Sequence, residues 1–134
     1  MAPTHIEHIG IAVRSLQRAI PVFERLLGTP CYAIEEVPDQ KVRTAFFKVG
    51  QTKIELLEPT SGDGPVASFI AKRGEGMHHL AFAVEDPAAA LQEAELQGFQ
   101  LVDRTPSTGA EGLQVGFLHP HSTFGVLVEL CGES

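Results

Sequence analysis

A chain of 134 residues is long enough for one compact core, or for two small half-domains sharing one. Its 43% apolar and 20% charged content is that of a folded globular protein and excludes disorder. The formal charge of −7 leaves no basic stripe for nucleic acid, and no apolar run approaches the length of a membrane span.

The first residues, Met1-Ala2-Pro3-Thr4-His5, carry neither a basic n-region nor an apolar h-region, so the chain is expected in the cytoplasm. Cys31 and Cys131 are too few and too far apart for a disulfide framework and are expected to be reduced.

In chain order, His8-Ile9-Gly10-Ile11-Ala12-Val13 reads as a strand, followed by a helix from about Ser15 to Leu27. Ser15 suits the N-cap, and Leu16, Ile20, Phe23 and Leu27 recur at helical spacing. Pro21 falls inside this helix and is expected to remove a hydrogen bond or kink it. Val42 to Val49 and Lys53 to Glu58 read as a hairpin through Gly50-Gln51. A segment rich in Gly, Ser and Asp follows from Pro59 to Gly76, with a short helix expected from Pro65 to Arg73.

The second half repeats the first. His79-Leu80-Ala81-Phe82-Ala83-Val84 echoes the opening strand 71 residues later. Asp86-Pro87 is an N-cap followed by proline at the first helical position, and the helix continues through Ala88-Ala89-Ala90-Leu91 toward Gly98. Leu113 to Leu118 and Val126 to Cys131 read as strands joined by the loop His119 to Gly125, and Val128-Glu129-Leu130 matches Ile54-Glu55-Leu56 at an offset of 74.

Alternation along a strand places His8, Gly10 and Ala12 on one face, with His79, Ala81 and Ala83 their counterparts. Small neighbours leave room beside each imidazole, while the bulky faces can pack on the helices. Glu55 and Glu129 each interrupt an apolar strand, and a carboxylate facing a core is costly unless paired or metal-bound. Two imidazoles and two carboxylates form an N/O donor set suited to Co2+, Mn2+, Ni2+ or Zn2+. A single His in a strand is more often a hydrogen-bonded core side chain, and a lone Glu more often faces solvent. The recurrence of both at matched positions favours a metal site at His8, Glu55, His79 and Glu129.

Other histidines weigh less. His5 is expected at the surface, His78 on the opposite face from His79 as a structural side chain, and His119 and His121 either at a substrate mouth or in a plain turn.

These strands resemble the vicinal oxygen chelate superfamily, which includes glyoxalases, bleomycin-resistance proteins and extradiol dioxygenases. Lys53-Ile54-Glu55-Leu56-Leu57-Glu58-Pro59, Lys72-Arg73-Gly74-Glu75-Gly76, Met77-His78-His79-Leu80-Ala81-Phe82 and Gly116-Phe117-Leu118-His119-Pro120 are similar to its methylmalonyl-CoA epimerase branch. The likeness runs from about His5 to Cys131. It implies an α+β fold in which two tandem βαβββ modules form a curved mixed sheet around a metal-centred cleft. The whole of 1–134 would be a single domain, with module one at about 5–59, a linker at about 60–75 and module two at about 76–131.

The resemblance further implies His8, Glu55, His79 and Glu129 as metal shell, with Co2+ favoured and Mg2+ among the alternatives. It also implies a CoA thioester substrate and a homodimer. The sequence departs from the branch at three places: Glu111 stands where His is frequent, His121 where Lys is frequent, and Thr44 where some members carry a second Glu. Some members also have Gln in place of Glu55. The implied reaction removes the proton between a thioester and a carboxylate and returns it to the other face, with Glu129 as base on one side. Glu55, a water or another group would serve the other. Lys72, Arg73 and Arg104 are candidates for the CoA phosphates, each of which reads more simply as an ordinary surface charge. The alternatives are a glyoxalase I-type lyase with the same ligand set and a metal-free binding module.

Overall fold

The computed structural model describes residues 1–133. The chain forms two compact units: His8–His78, and Met1–Glu7 together with the described residues from His79 onward. Among the described residues no helix is long and apolar enough to cross a membrane.

The first unit is built from β1 (His5–Ala12) from His8 onward, α1 (Leu16–Leu27), β2 (Ala33–Val37), β3 (Val42–Val49), β4 (Thr52–Pro59) and α2 (Pro65–Arg73). Its strands lie in the order β2-β3-β4-β1, with β1 parallel to β4 and the other neighbours antiparallel. Ser15 caps α1 by accepting the Arg18 N–H, and Gly28 ends it in the left-handed region at φ 66°, where an L side chain would be strained. The helix runs through Pro21 without a break. Pro21 lies on the exposed side, where water can satisfy the carbonyl that loses its partner.

Leu16, Ala19, Ile20, Phe23 and Leu27 of α1 pack on Ile11, Val13, Ala45, Phe47, Ile54 and Leu56. The sheet face turned away from α1 carries His8, Gly10 and Ala12 of β1, Lys53, Glu55 and Leu57 of β4, and Thr44 and Phe46 of β3. β2 was not resolved as a separate element by sequence pattern, because Ala33-Ile34-Glu35-Glu36-Val37 is mostly exposed and owes its conformation to pairing with β3.

The second unit contains β5 (Gly76–Ala83) from His79 onward, α3 (Pro87–Leu96), β6 (Ser107–Thr108), β7 (Gln114–Leu118) and β8 (Val128–Gly132). Its order is β5-β8-β7-β6, with β5 parallel to β8 and the remaining pairs antiparallel. Both units therefore realise one βαβββ plan, first strand parallel to last, and the chain is α+β. Asp86 caps α3 by accepting the Ala89 N–H, with Pro87 at the first helical position. Ala90, Leu91 and Ala94 of α3 pack on Phe82, Val84, Leu118, Val128 and Leu130.

Gly116 of β7 lies against Leu91, which is fully buried; a Cβ added there would stand 2.5 Å from Leu91 Cδ1. Gly116→Ala is expected to overpack this core and destabilise the fold by about 1–3 kcal/mol. Denaturant unfolding measures it, and an unchanged midpoint would mean that Leu91 moves aside at no cost.

Candidate metal and proton-transfer site

In the first unit the parallel register of β1 and β4 sets Gly10 opposite Glu55, two residues beyond His8. The glycine leaves no side chain between them, and His8 Nδ1 stands 3.3 Å from Glu55 Oε2. Both side chains are 5% exposed. In the second unit β5 and β8 repeat the arrangement: Ala81 is opposite Glu129, two residues beyond His79. His79 Nε2 stands 3.2 Å from Glu129 Oε1, and both side chains are 4% exposed. The Phe117 ring, opposite Glu129 across the antiparallel pair, meets the His79 ring edge-on at 5.7 Å and fixes its plane.

Each unit thus holds one buried imidazole–carboxylate pair. A charge-assisted N–H···O contact has its usual length at about 2.7–2.9 Å, shorter than either separation. Two donors each about 2.1 Å from one divalent ion, at angles between square and tetrahedral, stand about 3.0–3.4 Å apart. The donor chemistry and spacing of both pairs therefore fit a divalent ion of the Co2+, Ni2+ or Zn2+ kind.

The remaining residues fall into place around this. Thr44 is buried on β3 opposite Leu57, on the same face as Glu55, and offers a hydroxyl, not a carboxylate. Glu111 lies exposed in a 3-10 turn (Ala110–Gly112) at φ 58°. His5, expected at the surface, is half-buried, its Nδ1 2.9 Å from Thr4 Oγ1, because the strand start is covered. His78 packs edge-on to Phe69 at 5.1 Å, a structural contact. His119 Nδ1 accepts the His121 N–H at 3.0 Å and caps the 3-10 turn Pro120–Ser122, so it serves the loop; His121 is exposed. Arg73 lies over the Phe69 ring at 5.7 Å, and Arg104 pairs with Glu95 at 3.1 Å, each as a surface cation does. Cys31 is half-buried, and the buried Cys131 has its Sγ 3.5 Å from the Phe82 carbonyl oxygen.

One buried charge escaped sequence reading. Lys53 shares the face of Glu55 with its side chain only 8% exposed, its Nζ 4.0 Å from Glu55 Oε2 and 5.9 Å from the Phe46 ring centroid. The signal was available: its position two residues before Glu55 puts it on the ligand face, where a surface lysine has no place. Two hollows lie elsewhere. One of about 520 Å³ is lined by Arg14, Thr60, Ser61 and Ile70, the other of about 310 Å³ by Val84, Asp86, Ala90 and Glu93; neither includes the His–Glu pairs.

Residues 7–117 match the family model of the Glyoxalase/Bleomycin resistance protein/Dioxygenase superfamily. The chain is 45% identical to the uncharacterized protein YqjC of Bacillus subtilis over 94% of its own length and 90% of that protein. It is 37% identical to the ethylmalonyl-CoA/methylmalonyl-CoA epimerase of Cereibacter sphaeroides, over 93% and 95% of the two chains. A solved variant of Streptomyces coelicolor methylmalonyl-CoA epimerase, in complex with 2-nitronate-propionyl-CoA, superposes with a TM-score of 0.94 at 34% identity, covering 99% of this chain and 96% of that one.

Proposed function

Since the chain belongs to the glyoxalase/bleomycin resistance protein/dioxygenase superfamily and, within it, to the methylmalonyl-CoA epimerase family, we propose that it interconverts (R)- and (S)-methylmalonyl-CoA by a metal-assisted proton transfer. The observation that carries this reading is the buried His–Glu pair that occurs once in each βαβββ unit.

The reacting carbon lies between a thioester carbonyl and a carboxylate. Its proton is removed from one face and returned to the other, through an enolate delocalised into the thioester. His8, Glu55, His79 and Glu129 would together hold one divalent ion, Co2+ favoured. Such an ion, when bound, supplies positive charge to the substrate oxygens on which negative charge grows.

The protein's own groups do the rest. Glu129 accepts the α-proton through a carboxylate oxygen on one face, and Glu55 is the carboxylate for the other. Both are buried and held against an imidazole, which fixes where each carboxylate sits. Phe46 and Phe117, on the neighbouring strands opposite Glu55 and Glu129, wall the carboxylates with apolar surface.

The test is α-proton exchange of methylmalonyl-CoA in D2O, followed by NMR, with Co2+ and with chelator. Deuterium should enter the α-position with interconversion of the two epimers, stop on chelation and resume on adding Co2+. An absence of exchange with every divalent ion tried would overturn the reading.

A further inference from the structure

Resting on the function proposed above, we infer that the open hollow of about 520 Å³ at the end of β1 and β4 seats the nucleotide end of the CoA ester, with the adenine against α2 and a phosphate on Arg14. All of its lining belongs to the first unit. Its volume lies within the range of about 300–1,000 Å³ usual for small-molecule sites.

Strand register sets the hollow in line with the buried His8–Glu55 pair. β1 and β4 run parallel, with Gly10 opposite Glu55 and Ala12 opposite Leu57, and the Val13 N–H donates to the Leu57 carbonyl at 2.9 Å. On the face that carries His8 and Glu55, the next position after Leu57 is Pro59 and the next after Ala12 is Arg14; both line the hollow. Glu55 and Pro59 are four residues apart on β4, about 13 Å at the rise of a strand. In a CoA ester the flexible pantetheine arm separates thioester from nucleotide and covers such a span. An ester with its reacting carbon beside Glu55 and its arm along this face delivers the nucleotide to the hollow.

The lining suits a nucleotide. Ala67, Ile70 and Ala71 fall on one side of α2 and make an apolar wall, and the two alanines are short enough for a flat base to lie close. Thr60 offers a hydroxyl at the rim, where its backbone N–H donates to the Lys41 carbonyl at 3.0 Å. Arg14 supplies the cation. Glu75 accepts the Arg14 backbone N–H at 2.8 Å and stands 3.4 Å from its Nη1, which anchors the arginine through one guanidinium nitrogen. The two side chains are 64% and 47% exposed, where such a pair contributes little by itself. A guanidinium has five N–H donors, so a phosphate can be gripped by the same fork beside Glu75. The Asp63 carboxylate of the neighbouring loop is neutralised by Lys41 Nζ at 2.7 Å and sets no bare negative charge against that phosphate.

Titration calorimetry of wild type, Arg14→Gln and Ala71→Glu, each with Co2+, tests the assignment with methylmalonyl-CoA and with methylmalonyl-pantetheine, which lacks the nucleotide. Ala71 is exposed and glutamate is a good helix former, so the second variant keeps α2 and adds a negative charge to the wall. Each variant should weaken methylmalonyl-CoA binding by about five- to tenfold, the worth of a charged hydrogen bond discounted for exposure, and leave methylmalonyl-pantetheine within about twofold. Adenosine 3′,5′-bisphosphate should bind the wild type and compete with methylmalonyl-CoA. Unchanged methylmalonyl-CoA binding in both variants would overturn the inference, as would equal weakening of the two thioesters. Binding of the bisphosphate without competition would give the hollow to a separate nucleotide and overturn it too. The functional reading fails separately, on absent α-proton exchange in the wild type, whereas this inference fails on the contrast between the two thioesters.

Discussion

Glu129→Gln should slow epimerisation and α-proton exchange by about 10²–10⁴-fold, the range associated with loss of a positioned proton-transfer group. The substitution keeps the shape of a side chain that is 4% exposed, so the β8 packing around it is retained. The amide oxygen can still face a cation, but the amide cannot take up the proton. Metal affinity should fall because the amide carries no charge, so turnover is read at a Co2+ concentration that loads the variant, checked by elemental analysis, and should still collapse. Full turnover with metal bound would remove Glu129 from the role of base and pass it to another group.

His8→Ala is expected to uncouple the protein from its ion. Loss of an outer partner of a metal ligand already costs about 10–100-fold in metal affinity, and loss of a ligand itself should cost no less. It also leaves Glu55 enclosed at 5% exposure without its imidazole neighbour at 3.3 Å. Removing the partner of a buried polar group costs about 1–3 kcal/mol, so the variant should melt lower even without metal. In wild type, Co2+ at about 100 times its Kd should add about 2.7 kcal/mol of stability and raise Tm. The variant should show little of that rise at the same concentration. Thermal melts with and without Co2+ give both effects, and an equal Co2+ shift in the two proteins would place the ion away from His8.

Much of this frame is legible in the residues because local rules and the repeat agree. Ser15 and Asp86-Pro87 announce their helices through capping chemistry alone, and Gly50-Gln51 announces the β3–β4 hairpin. His8, Glu55, His79 and Glu129 stand out since each pair is polar where its strand is apolar, twice over. The pairing of His8 with Glu55 and of His79 with Glu129 depends on parallel register between strands more than forty residues apart, which no local pattern encodes. β2 and the two-residue β6 escape notice for a related reason: their conformation is imposed by the strand beside them. Lys53 was overlooked because a lysine in a hairpin strand ordinarily points to water, and only the alternation with Glu55 shows otherwise.

The first seven residues group with the second unit, where the Thr4 N–H donates to the Ala83 carbonyl at 2.9 Å. Severing the chain within the connecting segment between the repeats would consequently not release two self-sufficient fragments. The downstream piece would lack the opening stretch that hydrogen-bonds to the end of β5, and the upstream piece would carry a tail without its mate. Mixed together, such fragments should reassemble as a complementing pair; apart, the downstream one should be the poorer folder.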